Sequence, residues 1–243
     1  MKIEMASVIG NRNSNQDCLL VDDKVYSEED CIFRYYEINN EKPQIFAIAD
    51  GMGGEKFGEV ASKMIINEIK KILESKELNN LDELVKKTIE AIQAAQVSIT
   101  KKMNETNSVG GTTISVLLIH NGKFACLNVG DSPVYLIRNK KMILLSKIHT
   151  LAQIKRDNGL PKNKINYEDE HCLVQCIGSG GYDAIDYTEG EYYKGDIFSV
   201  MSDGITLNGF HKAKRFLSSK NKISKIKDYL NVEDNSSVIT ISI

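Results

Sequence analysis

Residues 112–129 read TTISVLLIHNGKFACLNV. Two apolar runs, 112–119 and 124–129, flank Asn121-Gly122. Asn-Gly is the pair that a type I′ turn selects, because both central positions need positive φ. The stretch therefore predicts an antiparallel hairpin. Further short strands follow at 134–138, 142–145, 172–177, 196–201 and 238–243, separated by turn residues. On the N-terminal side, residues 45–49 (IFAIA) read as a buried strand leading into a Gly-rich turn. Two helices then fit the 3.6-residue period. The first spans 55–76, with Val60, Met64, Ile65, Ile69, Ile72 and Leu73 on one side. The second spans 81–103, with Asn80 as N-cap and Glu83 as its capping-box partner, and with Leu84, Val85, Ile92, Ala95 and Ile99 as its apolar stripe. Helices adjacent in the chain and strands in hairpin series argue for antiparallel sheets with flanking helices, not a parallel βαβ array.

The bulk properties fit that plan. The chain has 243 residues, a length at which one large domain is common, and no linker or repeat divides it, so 1–243 is expected to form a single domain. A formal charge of -2 excludes a global basic field for nucleic acid or acidic membrane. The short basic run His211, Lys212, Lys214 and Arg215 reads as a solvated helix face. The first ten residues do not read as a signal peptide, since no basic start precedes a long apolar stretch, and no apolar run reaches the length of a spanning helix. Five cysteines without CxxC spacing predict a reduced, cytoplasmic protein. His171, Cys172 and Cys176 are too few for a zinc site without a second ligand pair, and the two cysteines read as small apolar residues on or near a strand.

The aspartates fall at strand ends beside glycine or a turn. Asp50-Gly51 follows the strand 45–49, Gly130-Asp131 follows 124–129, Asp203-Gly204 follows 196–201, and Asp234-Asn235 precedes the last strand. Asp17 follows the Gly- and Asn-rich stretch 10–15. Asp-Gly alone marks an ordinary turn. Several such aspartates on rigid strand ends, left unburied by the turns, would present hard oxygen ligands to a metal if they converge. Two carboxylates ~4 Å apart repel by roughly 4 kcal/mol at an effective dielectric of about 20, so a converged set requires cations.

The order of these motifs resembles the metal-dependent protein phosphatases, the type 2C Ser/Thr phosphatases, in their bacterial branch. The resemblance runs over nearly the whole chain: 10–17 (GNRNSNQD), 49–54 (ADGMGG), 110–113 (GGTT), 130–132 (GDS), His149-Thr150, Gly195-Asp196, 202–204 (SDG) and 234–239 (DNSSVI). It implies an α+β fold, a four-layer α-β-β-α sandwich of two antiparallel sheets flanked by helices. It also implies Asp50 as a carboxylate bridging two metals, with the Gly51 carbonyl beside it, and Asp203 and Asp234 as ligands of the first metal. Asp17 would contact metal directly or through water. Arg12 would clamp phosphate, and Asp131 would partner metal-bound water or a third ion. Two Mg²⁺ or Mn²⁺ ions would activate water to attack phosphorus, with Asp50, Asp131 and Arg12 as the catalytic set. The implied partners are phosphoprotein substrates and a Ser/Thr kinase or its targets, without nucleic acid or membrane.

Departures from the family pattern are local. Met52 stands where many members carry a histidine, so water would protonate the leaving group. Gln16 replaces a glutamate, which predicts weaker affinity at the second metal. Pro133, Ile148 and Leu207 replace an arginine, an acidic residue and a third-metal aspartate, and the flap at 151–170 is short, with Asp157 as a third-metal candidate but more plainly an exposed charge. The stretch between Asp203 and Asp234 is also short. His149 is expected to make a structural hydrogen bond near the site and His120 to be exposed at its hairpin, while His171 and His211 carry no functional signal. Two other readings compete. A catalytically weakened module that binds phosphoproteins or regulates a partner draws on Gln16 and Pro133. A nucleotide-binding loop at Gly51, Gly53 and Gly54 fails because Gly54-Glu55-Lys56 supplies neither a P-loop ending nor the last glycine of a dinucleotide motif. None of the cysteines has an arginine six positions later, which excludes a cysteine phosphatase loop.

Overall fold

The computed structural model describes residues 1–27, 31–38, 42–53, 57–74, 78, 80–206 and 233–243, with 31–36 as backbone. In chain order the strands and helices are β1 (Lys2–Val8), β2 (Asp17–Val21), β3 (Lys24–Tyr26), β4 (Cys31–Glu37), β5 (Gln44–Gly53), α1 (Phe57–Leu73), α2 (Leu81–Thr106), β6 (Gly110–Thr112), β7 (Ile114–His120), β8 (Lys123–Val129), β9 (Val134–Arg138), β10 (Lys141–Leu144), α3 (Leu151–Asp157), α4 (Tyr167–Glu170), β11 (Ile177–Gly178), β12 (Asp186–Glu191), β13 (Ile197–Met201), α5 (Asp203–Thr206) and β14 (Ser236–Ser242).

The strands make two antiparallel sheets. One has six strands in the order β10-β9-β13-β14-β1-β4; the other has eight, β11-β6-β5-β7-β8-β12 with β2 on β5 and β3 on β2. The hairpin at Asn121-Gly122 forms as its residues dictate, with φ of 45° and 78° at the two positions and β7 paired to β8 from Ile114↔Val129 to His120↔Lys123. Alternation then sorts side chains by face. Ile3, Phe46, Leu117, Phe198 and Ile239 pack between the sheets. Ala47, Val116 and Leu127, on β5, β7 and β8 of the larger sheet, face α1 and α2. Ile65, Ile66 and Ile69 of α1 are fully buried there, and each contributes roughly 1.5–3 kcal/mol. Two antiparallel sheets with helices packed outside are the α+β sandwich expected. Residues 207–232, where Leu207, the basic run and the short stretch before Asp234 fall, lie outside the described residues, as do Gly54, Glu55 and Lys56.

Several elements differ from expectation. Val60 is on the exposed side of α1, and Phe57, Ala61, Ser62 and Ile66 join the buried face instead. Asn80 caps α2 by accepting from the Glu83 amide at 2.8 Å, while the Glu83 carboxylate lies 3.7 Å from Lys87. The run 172–177 is not a continuous strand: Leu173 alone bridges to Thr150 before β11 begins at Ile177. His120 is buried, not exposed, because it is the last residue of β7 on the face turned to the helices. Strand β5 also outruns its apolar core: Asp50 pairs with Asp17 of β2, and Gly51 to Gly53 pair with β6.

Candidate metal centre

That extension of β5 sets the site. The register of β2 on β5 puts Asp17 directly opposite Asp50, a like-charge pairing that is unfavourable without a cation. Asp131 enters from the β8–β9 connection, Asp203 opens α5 immediately after β13, and Asp234 stands just before β14. Asp50, Asp131, Asp203 and Asp234 line one cleft of about 440 Å³ together with Gly51 and Arg12. Asp17 lies behind that wall and is 1% exposed, so it is not the unburied carboxylate its turn suggested. Its Oδ2 accepts from Ser202 Oγ at 3.0 Å.

Short polar side chains fix the backbones that carry these groups. The Asp50 amide donates to Thr113 Oγ1 at 3.0 Å, and the Asp50 carbonyl accepts from Thr113 N at 2.8 Å and from Thr112 Oγ1 at 3.0 Å. This is the structural use of the Gly-Thr-Thr motif. Gly51 lies so close to α1 that a Cβ there would sit 2.3 Å from the Gly58 carbonyl oxygen. Only glycine admits that approach. Asn235 ties the 9–16 loop to β14: its Nδ2 donates to the Ile9 and Ser14 carbonyls at 2.9 and 3.0 Å, and its Oδ1 accepts from Gln16 N at 2.9 Å. Arg12 is thereby held at the mouth of the cleft, 56% exposed, with Nη2 2.9 Å from Asp234 Oδ2.

The electrostatics follow from crowding and burial. Burial, then the neighbouring Asp203 and Asp234 charges, pushes Asp17 up to about 7 against the lowering bonds from Ser237 and Ser202. Burial, then Asp203, pushes Asp131 up to about 7. Asp50 is raised well above the usual carboxylate range by burial and then by Asp17, Asp203 and Asp131. Asp203 is raised by burial and then by Asp234, although a hydrogen bond from the Asp50 carboxyl favours its ionised form. These are carboxylates short of positive charge. Asp17 Oδ1 is buried with no hydrogen-bond partner, an orphaned acceptor of the kind a cation or its water satisfies. Among the described residues no three acidic, His or Cys side chains are closed into a cage. Mg²⁺ does not need one, since it is ordinarily held by one or two carboxylates plus water. An all-oxygen donor set around an open cleft therefore fits Mg²⁺ or Mn²⁺ and does not suit zinc.

His149 makes the structural hydrogen bond expected of it near the site, and His171 departs from its sequence reading. His149 is buried; its Nδ1 accepts from Gly130 N at 2.9 Å, next to Asp131, and its Nε2 meets Asp186 Oδ2 at 2.5 Å. Nothing in the composition of β12 marked Asp186, since that strand is mostly polar and exposed. His171 lines the cleft with Leu173, brought there by the flap, whose α3 and α4 are joined by Lys155–Asp169 at 2.6 Å and by Arg156–Glu170. A ring contact with Tyr167 at 4.4 Å holds it. Its own sequence neighbourhood carried no signal, because the flap is closed by ion pairs and backbone bonds between residues distant in the chain. Asp157 ends α3 on the surface, bonded to Gln153 at 2.8 Å, and does not line the cleft. Cys176 is a buried thiol, whereas Cys172 is exposed and not the small apolar filler expected.

A two-sheet antiparallel sandwich gathering carboxylates from distant strand ends into one cleft defines a class, and comparison with known proteins gives the same one. The protein phosphatase 2C family model matches residues 5–155, and the chain belongs to that family, whose members are metal-dependent protein phosphatases. Among relatives it is similar to the serine/threonine phosphatase stp of Listeria innocua, 28% identical over 221 residues, covering 84% of this chain and 86% of that protein. It is also 28% identical over 168 residues to the serine/threonine protein phosphatase PstP of Mycobacterium tuberculosis, covering 67% of this chain and 32% of that one. The fold matches the serine/threonine phosphatase of S. agalactiae with a TM-score of 0.84 at 21% identity over 100% of both chains. It matches the PstP catalytic domain in complex with two manganese ions with a TM-score of 0.74 at 22% identity, over 98% of this chain and 97% of that one.

Proposed function

We propose that this chain removes phosphate from phosphoserine and phosphothreonine in protein substrates, with two Mg²⁺ or Mn²⁺ ions held in the cleft. The observation that carries the reading is the convergence of Asp50, Asp131, Asp203 and Asp234 on one cleft, backed by Asp17 and faced by Arg12. Asp50 would hold both ions with the Gly51 carbonyl beside it, Asp203 and Asp234 would hold the first, and Asp17 and Asp131 would reach them through water. When bound, such a pair makes water a nucleophile near neutral pH and offsets the charge of the phosphoryl group. Arg12 orients the phosphate through its guanidinium fork, and its exposure lets it turn from Asp234 to do so. Met52, a thioether at the cleft, has no proton to give, so water protonates the leaving oxygen.

Phosphoproteins, including a Ser/Thr kinase or its targets, are the partners in this reading. Residues 1–243 act as one domain in the cytoplasm. The free thiols of Cys18, Cys126, Cys172 and Cys176 support a reducing compartment. The complete carboxylate set weighs against a weakened binding module. The test is Mn²⁺-dependent hydrolysis of para-nitrophenyl phosphate and of a phosphothreonine peptide. Turnover should vanish with chelator and in Asp203→Ala; turnover that persists in both would end the proposal.

A further inference from the structure

We propose that Asp186, acting through His149, positions the Gly130–Asp131 turn and so aims the Asp131 carboxylate into the cleft. The role given to Asp131 rests on the metal-centre reading above. Gly130 has φ of +116° and its Cβ position would lie 2.6 Å from Thr113, so no other residue can stand there. A glycine also holds its own conformation poorly. The turn must be held from outside, and His149 holds both polar groups of Gly130. The ring Nδ1 accepts the Gly130 N–H at 2.9 Å, and the His149 N–H donates to the Gly130 carbonyl at 3.0 Å. Asn128 Nδ2 adds a second donor to that carbonyl at 3.0 Å.

An acceptor at Nδ1 requires the imidazole proton to sit on Nε2. Asp186 Oδ2, 2.5 Å from Nε2, is the partner that selects this tautomer. Without it, a proton moved to Nδ1 would face the Gly130 N–H, donor against donor, and the turn would have to rotate. The ring is 2% exposed, so water gives the other tautomer little relief. The same histidine also anchors the flap. The His149 carbonyl accepts from Val174 N at 2.9 Å, and the next residue, Thr150, N-caps α3. Asp186 is a positioning residue in this reading, and it does not line the cleft.

The experiment compares Asp186→Ala with Asp186→Asn, each alone and in a His149→Asn background. In Asp186→Asn the new amide keeps a carbonyl oxygen that accepts from Nε2–H. In His149→Asn the side-chain carbonyl oxygen takes the place of Nδ1 without reaching residue 186. Asp186→Ala is expected to weaken Mn²⁺ binding and kcat by about 10–100-fold, the usual range for a lost outer partner, with KM for a phosphothreonine peptide changed less than about threefold. Asp186→Asn should stay within about threefold of wild type. In the His149→Asn background, Asp186→Ala should add nothing, since the pair acts as one unit. Nitrogen-15 spectra of the chelated protein read the tautomer without turnover: Nε2–H in wild type and Asp186→Asn, a mixture in Asp186→Ala. An unchanged tautomer in Asp186→Ala, equal losses in the Ala and Asn variants, or an undiminished loss in the His149→Asn background would each overturn the proposal. Failure of the metal reading would show separately, as wild-type protein indifferent to chelator.

Discussion

Arg12 shows how far a single residue's exposure and chemistry can separate stability from function. It is more than half exposed and pairs with Asp234 at the mouth of the cleft, so as a surface ion pair it adds little to folding. Arg12→Ala should leave unfolding free energy within about 0.5 kcal/mol of wild type. It should nevertheless lower kcat/KM on a phosphothreonine peptide on the order of 10²-fold, because a preorganised donor to developing charge is lost. Arg12→Lys should recover only part, since an ammonium lacks the planar fork. Denaturant titration beside steady-state kinetics checks both. Arg12 was legible in the sequence because it sits in a dense motif. His171 and Asp186 were not, because their positions depend on where a flap and an edge strand lie in space.

Among the elements, β5 and α1 meet through glycine. A Cβ on Gly51 would come 2.3 Å from the Gly58 oxygen, and one on Gly58 would come 2.8 Å from the Gly51 carbon, so both contacts are with backbone that cannot rotate away. Gly51→Ala should therefore cost about 1–3 kcal/mol by overpacking, read as a lower denaturant midpoint at constant slope. It should also weaken Mn²⁺ binding, because Asp50 rides on the same strand. The sequence disclosed this strand only as far as its apolar run. A period-2 or apolar signal reports burial, whereas residues 51–53 are strand because β6 pairs with them. The same limit explains β12, whose polar residues gain strand form only by pairing with β8. It explains His120 as well: Asn-Gly specifies the hairpin, but not which face of β7 the last residue joins.

At the scale of the molecule, the sandwich spends folding free energy to bring carboxylates together, and that gives its stability a distinctive pH dependence. With metal chelated, Asp17 and Asp131 each titrate near 7 in the folded state, chiefly because burial penalises the charge, against 3.8 in the unfolded chain. Between those values the folded state binds more protons than the unfolded one, so stability falls as pH rises. For Asp17 alone the shift amounts to at most about 4 kcal/mol, and the groups titrate together, so their effects do not simply add. The stabilising contribution is intact below about pH 4 and gone above about pH 7. Asp169 and Asp196 work in the opposite sense. Lys155 lowers the first and Arg138 the second, but both shifts lie below the ordinary carboxylate value and so act only in the acid range. In EDTA, the thermal midpoint should therefore drop by several degrees between about pH 5 and about pH 8. Adding Mg²⁺ or Mn²⁺ at the upper pH should restore it by mass action on the folded state. The same addition at the lower pH should do much less, because protons compete for the same oxygens. Scanning calorimetry across that grid decides the matter. A midpoint that rises over this pH range without metal, or responds equally to metal at both ends, would mean that the strand ends do not hold an uncompensated cluster of carboxylates.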